Sequence, residues 1–262
     1  MLLAIDVGNT NVVFAVYENG ELRCQWRSAT QAPRTADEYA VWLTQLMGLQ
    51  NIAATDIKDA IIATVVPRVL FDLRALCRTY FDIDPVVVGD GAELGISILI
   101  DKPEDVGSDR LVNAVAAHIT YDGPLIILDF GTATTFDVVD GDGNYRGGVI
   151  SPGINLSLEA LHMAAAKLPH IAVARPEHVI GRGTTEAMQS GVYWGYVGLI
   201  EGLVKRIADE LKSDTGDDRD PVVIATGGLA PLFATGTEVI QHIDPDLTMR
   251  GLVEIHRRSR KD

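Results

Sequence analysis

The stretch LLAIDVGNTNVVFAVYENGEL, residues 2–22, reads as consecutive antiparallel strands, with apolar runs broken by turn signals at Gly8-Asn9 and Asn19-Gly20. Residues 125–145, LIILDFGTATTFDVVDGDGNY, repeat the pattern. Asp129 follows Asp6, Gly131 follows Gly8 and Gly143 follows Gly20 by the same 123 residues, so the two stretches align without a gap. A repeat near half the chain length marks a duplicated domain rather than a short solenoid. A second echo follows: DAIIATVVP, residues 59–67, resembles DPVVIATGGLAP, residues 220–231, each a buried strand, an Ala-Thr pair, a bend and a helix start.

Between the strands, helical periodicity runs over 35–46, 68–80, 108–118, 155–165 and 184–211, and Thr35 with Glu38 forms a capping box. Opening hairpins followed by helices and buried strands predict an α/β fold with a mixed sheet in each half. The boundary falls near Tyr121 to Pro124, giving halves 1–121 and 122–262. The acidic stretch 213–220 reads as a loop, and the basic run 256–261 as a solvated tail.

Composition narrows the function. The 262 residues are 47% hydrophobic and 22% charged, enough to bury a substantial core, and the net charge of −14 argues against a nucleic-acid partner, whose phosphates call for clustered Lys and Arg. Cys24 and Cys77 have neither disulfide-framework nor metal-type spacing and read as buried thiols. The six histidines are scattered and receive no catalytic role, while the three tryptophans read as core or interface residues. With an apolar strand directly after Met1 and no apolar run of membrane-spanning length, the expectation is a cytoplasmic protein with no membrane partner.

The two hairpins carry the chemistry. Asp6-Val7-Gly8-Asn9-Thr10-Asn11 combines a carboxylate at a strand end, a glycine turn, and hydroxyl, amide and backbone N–H groups able to face phosphate oxygens. Asp129-Phe130-Gly131-Thr132-Ala133-Thr134-Thr135 does the same in the other half. One Asp-x-Gly turn is commonplace; two at symmetric positions fit a metal–polyphosphate held from both sides. No Gly-x-x-x-x-Gly-Lys-Ser/Thr occurs, so neither hairpin carries a P-loop lysine and fixed backbone dipoles must do more of the work on a polyphosphate.

This arrangement resembles the duplicated actin-like, ribonuclease H-like superfamily of actin, sugar kinases and heat-shock ATPases. The details resemble the type III pantothenate kinase family more closely: Asp6-x-Gly8-Asn9-Thr10, Gly107-Ser108-Asp109-Arg110 with Leu-Val-Asn after it, Asp129-Phe130-Gly131-Thr132-Ala133, Gly147-Gly148-x-Ile150-x-Pro152-Gly153, and Thr226-Gly227-Gly228. The resemblance implies ATP-dependent phosphorylation of pantothenate at its primary hydroxyl, the first step toward coenzyme A. It implies that Asp6, Val7, Gly8, Asn9, Thr10, Asn11, Val12 and Val13, with Thr132, line the ATP phosphates, and that Asp109 accepts the proton. It further implies that Gly107, Ser108, Asp109 and Arg110 hold pantothenate, that Asp129 binds potassium or ammonium, and that Thr184 reaches pantothenate across a homodimer interface with shared active sites.

The residues are compatible with those roles. Asp6 suits a water-mediated magnesium contact. Asp109 opens a predicted helix whose dipole favours its ionised form, although Ser-Asp at a helix start is also a common cap. Arg110 offers a planar fork for pantothenate's carboxylate. Gly227 and Gly228 either admit the adenine face or make a tight strand-to-helix turn. Gly191, Gly195, Gly198 and Gly202 form a stripe for close helix packing, within the chain or between subunits. Where the family carries Tyr-x-Asn-Pro, this chain has Ile100-Asp101-Lys102-Pro103, and Ser108 replaces a frequent Ala. Ile100 retains apolar contact to the gem-dimethyl group without the aromatic wall or hydroxyl. The rival readings are a kinase of the same superfamily with another alcohol acceptor, and a non-enzymatic transcriptional accessory protein.

Overall fold

The computed structural model describes residues 1–30, 34–164 and 168–260. It separates into two compact units. The first comprises residues 1–96, 101–116 and 247 onward; the second comprises 97–100 and 117–246. The halves expected from the duplication, 1–121 and 122–262, differ from these units in the return of residues 247 onward to the first and the placing of 97–100 and 117–121 in the second.

In the first unit, β1 (Leu2–Val7), β2 (Asn11–Glu18), β3 (Glu21–Ala29), β4 (Asp59–Thr64) and β5 (Val86–Val87) form a sheet of order β3-β2-β1-β4-β5. The first three are antiparallel neighbours; β4 and β5 add in parallel. Parallel crossovers of this kind call for long connections, usually helices. They are α1 (Ala36–Leu49), started by the expected Thr35–Glu38 capping box, and α2 (Pro67–Phe81). Strict alternation divides β1 between two cores. Leu3, Ile5 and Val7 face α1 and α2, whereas Ala4, with Ala15, Ile61 and Ala63, packs with Val112 and Val115 of α3 (Ser108–Thr120).

The second unit repeats this plan. Its strands β6 (Leu125–Phe130), β7 (Ala133–Val139), β8 (Tyr145–Pro152), β9 (Val222–Gly227) and β10 (His242–Ile243) lie in the order β8-β7-β6-β9-β10, with the same directions as their counterparts. One face is covered by α5 (Thr184–Thr215) and α6 (Ala230–Ala234), through Tyr193, Tyr196, Val197, Ile200 and Phe233. The chain also forms α4 (Ile154–Ala164); the last residue of the helix expected there, Ala165, lies outside the described residues.

Two sequence expectations need correction. Residues 256–259 are not a solvated tail: they finish α7 (Leu247–Ser259), whose Met249, Leu252 and Ile255 join the core over β1 and β4, while Lys261 lies outside the described residues. A methyl group at Gly251 would fall 2.3 Å from Val112 O, so α7 crosses α3 at backbone distance. The expected loop 213–220 begins only at Gly216, because α5 runs on to Thr215 before the left-handed glycine stops it.

The gapless alignment also yields to the observed register. Val7 pairs with Val12, leaving a four-residue loop, Gly8–Asn11. Phe130 pairs with Thr134, leaving three, Gly131–Ala133. The next connection restores the count, since Tyr17 pairs with Leu22 but Val139 with Tyr145. A single arginine, Arg23 or Arg146, then bulges the third strand of each sheet. Matching residues of β2 and β7 are therefore Phe14 and Phe136, one position off the sequence alignment. The Ala-Thr echo slips likewise, because Asp6 lies beside Ala63 and Asp129 beside Thr226.

Candidate active site

In the first unit the site is built at the ends of β1 and β4. Asp6, the next-to-last residue of β1, is flanked on its face by Val13 of β2 and Ala63 of β4, both apolar. Beyond it the Gly8 N–H donates to Asn11 O at 2.9 Å, and Asn9, Thr10 and Asn11 are exposed. Thr30, just past β3, fastens this loop twice. Its N–H donates to Thr10 O at 2.9 Å and its hydroxyl to Gly8 O at 2.8 Å.

α3 starts at the same end of the sheet. The Val65 N–H donates to Val7 O at 3.2 Å, and the Ser108 hydroxyl donates to Thr64 O at 2.9 Å, tying the helix to the end of β4. Gly107 accepts from the N–H groups of Arg110 and Leu111 and so caps the helix. A side chain on Gly107 would meet Asp109 Oδ1 at 2.6 Å and Val65 Cγ1 at 3.3 Å, which leaves glycine as the residue that lets the Asp109 carboxylate turn inward. Asp109 Oδ1 accepts from the Arg110 N–H at 2.8 Å.

Burial raises the Asp109 pKa above the ordinary carboxylate value; the Arg110 N–H and guanidinium oppose the shift without cancelling it. The helix-start position was expected to favour the ionised form. Desolvation outweighs it. The result is a stronger base than an exposed aspartate. The thiol of Cys77, by contrast, is pushed up to about 12 by burial and is chemically inert, whereas Cys24 is half-buried on β3.

In the second unit Asp129 occupies the place that Asp6 has in the first, but its flanking residues are Thr135 and Thr226. Thr135 donates its hydroxyl to Asp137 Oδ2 at 3.1 Å, and the Tyr145 hydroxyl donates to Asp137 Oδ1 at 2.8 Å. Gly227 has φ +88°, and a methyl group there would approach Phe130 O to 2.6 Å and Asp129 Oδ1 to 2.9 Å. The tight-turn reading therefore accounts for Gly227, while Gly228 faces open space. In the loop, the Gly131 N–H donates to Ala133 O at 3.0 Å and Thr132 is exposed. The Gly153 N–H donates to Thr132 O at 3.1 Å, and a methyl group at Gly153 would lie 2.2 Å from that oxygen.

Against known proteins, the family model for type III pantothenate kinase matches residues 2–206. The chain belongs to the type III pantothenate kinase family. A type III pantothenate kinase of Paramagnetospirillum magneticum is 66% identical over 260 residues, covering 99% of this chain and 98% of the relative. Among solved structures, a Campylobacter jejuni protein assigned to the Baf family of transcriptional activators aligns with a TM-score of 0.62 at 18% identity, over 97% of each chain. A Sinorhizobium meliloti protein assigned as a 2-dehydro-3-deoxygalactonokinase aligns with a TM-score of 0.56 at 13% identity, over 100% of this chain and 98% of that one. At those identities the two structures speak to the fold alone, and the expected duplicated actin-like α/β architecture is the one found.

Of the residues expected to line the ATP phosphates of this kinase family, Val7, Val12 and Val13 are buried in the sheet's two cores, so only their backbone faces the loop. Asp6 and Asp109 share one end of the first sheet. Asp129 and Thr132 share the second hairpin. Thr184 is the exposed first residue of α5. Ile100 lies over Gly147, with its Cγ2 3.5 Å from where a Cβ would stand. Sequence reasoning missed Thr30, which fastens the first loop, and Tyr196, whose hydroxyl bonds Thr134 and Pro152 beside the second, through contacts far apart in the chain. For Gly153 the family motif was a signal of position without a reason, which the contact with Thr132 supplies. Among the described residues no helix is long and apolar enough to cross a membrane.

Proposed function

We propose that this chain transfers the γ-phosphoryl group of ATP to the primary hydroxyl of pantothenate, the entry to coenzyme A synthesis. The observation that carries the mechanism is Asp109, freed by Gly107 to turn inward, raised in basicity, and fixed at the sheet end that bears Asp6 and the first loop. In-line transfer forms a bond from the pantothenate oxygen to the γ-phosphorus and breaks the bond to the β-phosphate oxygen. The hydroxyl proton passes to Asp109, and ADP leaves. Gly107 to Arg110 orient pantothenate, with Arg110 paired to its carboxylate. In the first unit Asp6 and the Gly8–Asn11 loop are the nucleotide-positioning groups; in the second unit Thr132 is the phosphate contact.

Asp6 would hold magnesium, which would supply neutralising charge to the triphosphate. Asp129 has Thr135 and Thr226 as its register neighbours, the former bonded to Asp137, and no cluster of three or more metal-type side chains occurs among the described residues. Hydroxyl neighbours beside the carboxylate fit a monovalent cation, potassium or ammonium.

A shared dimeric site has independent support. Cβ atoms built at Gly191, Gly195 and Gly198 meet nothing within 4 Å, so packing within the described chain does not explain the stripe. Val179 and Ile180, 65% and 82% exposed, precede Thr184 in the same segment.

The test is ADP release followed in a coupled assay, with and without pantothenate, in potassium and in sodium. Pantothenate-dependent release, faster in potassium, is expected. Release driven equally by other alcohols would reassign the acceptor, and none under any salt would favour an accessory protein. In the same assay an equimolar, re-associated mixture of Asp109→Asn and Thr184→Val chains should recover activity that neither has alone. No recovery, with exchange verified by tagged pull-down, would remove the shared site.

A further inference from the structure

The second phosphate hairpin is gripped from outside its sheet by one side chain of α5. Tyr196 is 7% exposed, and its hydroxyl lies 2.6 Å from Thr134 Oγ1 and 2.8 Å from Pro152 O. The carbonyl of Pro152 can only accept, so the tyrosine proton goes there and the Thr134 hydroxyl donates to the tyrosine oxygen. Both capacities of the phenol are used. Thr134, 1% exposed, is the second residue of β7, and Pro152 is the last of β8. These strands lead out of the loop bearing Thr132 and into Gly153, whose N–H closes on Thr132 O.

The tyrosine ring is itself fixed. It packs on Phe233 at 5.3 Å between centroids, and Phe233 stacks in turn on Phe130, the residue that enters the loop. Among the described residues the first hairpin shows no such device. Its residues in the places of Thr134 and Pro152 are Val12 and Ala29, paired as Val12 with Ser28 and Asn11 with Ala29, and its loop is fastened from within by Thr30.

We infer that Tyr196 is a positioning residue of the phosphotransfer site, a strut from α5 that sets the distance between β7 and β8 and so the placement of Thr132. The inference rests on the reading that Thr132 contacts the ATP phosphates. A buried hydroxyl bridge of this kind, when cut, releases the loop without emptying the core, because Tyr196→Phe keeps the ring.

The experiment compares Tyr196→Phe, Thr134→Val, their double variant, Thr132→Val, and Tyr193→Phe as a core tyrosine-to-phenylalanine control. Expected for Tyr196→Phe is an ATP KM raised about fivefold, the scale of one net hydrogen bond, with the pantothenate KM within about twofold. Thr134→Val should match it, and the double variant should be no worse than the larger single, since both cut one bridge. Hydrogen exchange at the Gly153 amide, measured without nucleotide, should quicken in Tyr196→Phe and not in Tyr193→Phe. A normal ATP KM in Tyr196→Phe and Thr134→Val, with Thr132→Val impaired, would overturn the strut and leave the phosphate reading intact. A normal ATP KM in Thr132→Val would overturn both. Equal rises in both KM values, or unchanged Gly153 exchange, would also overturn the strut.

Discussion

The two hairpins share a carboxylate, a glycine and a sheet topology, yet they are built to different tolerances. The first has a four-residue loop tied by the Thr30 side chain, and its Asp6 stands between Val13 and Ala63. The second has a three-residue loop pressed against Gly153 and braced by Tyr196, and its Asp129 stands between Thr135 and Thr226. Duplication preserved the backbone plan while the neighbours of each carboxylate diverged. A carboxylate between apolar register neighbours suits an ion that keeps its water; one between two threonines suits a cation that takes oxygen ligands directly.

The largest expected effect lies on the first side. Asp109→Asn should lower kcat by about 100-fold or more, the scale of general-base catalysis, while leaving the ATP KM nearly unchanged. Near-normal kcat would remove Asp109 as the base. Because its folded-state pKa is raised, the folded chain holds this proton more tightly than the unfolded chain does. Stability is therefore lost as pH rises through the folded pKa, and the charge is destabilising above it. Thermal unfolding should accordingly show Asp109→Asn with the higher Tm at pH 7, the gap closing as pH falls below the ordinary aspartate value of about 3.9. The acid limb of kcat/KM in the parent should lie above that value for the same reason.

A smaller pair of effects measures the difference in tolerance. Gly153→Ala must displace Thr132 O from 2.2 Å, a backbone contact with no side chain to yield, and should lower kcat/KM for ATP about tenfold or more. Thr30→Val loses one hydrogen bond to Gly8 O and should cost only a few-fold. Equal losses in the two variants would mean that the hairpins are fastened alike and the comparison is wrong.

Most of the architecture was legible because hairpin strands announce themselves by turns and alternation, and Asp6, Gly8 and Gly20 find their counterparts at one spacing. The shorter loop was not, since the missing residue before β7 is returned after it and both ends still align. Only hydrogen-bond register shows that Phe14 answers to Phe136. α7 was hidden by its charge: His256, Arg257 and Arg258 dominate the reading, whereas Leu252 and Ile255, one turn apart, bury the helix. Arg257 and Arg258 pair with Glu254, whose pKa they lower to about 2, so the basic run is partly neutralised locally. Tyr196 could not be read at all, because its partners lie 62 and 44 residues away and nothing local distinguishes it from the other tyrosines. At the site, Asp109 was legible as a residue but not in its basicity, which comes from burial that sequence does not display.

The division of labour between the two aspartates is tested most directly by a double dissociation. Steady-state titrations of magnesium–ATP and of potassium are run on Asp6→Asn and Asp129→Asn. The account predicts that Asp6→Asn raises the magnesium–ATP KM and leaves the potassium activation constant in place, whereas Asp129→Asn abolishes the advantage of potassium over sodium. Loss of potassium activation in Asp6→Asn, or its retention in Asp129→Asn, would contradict it.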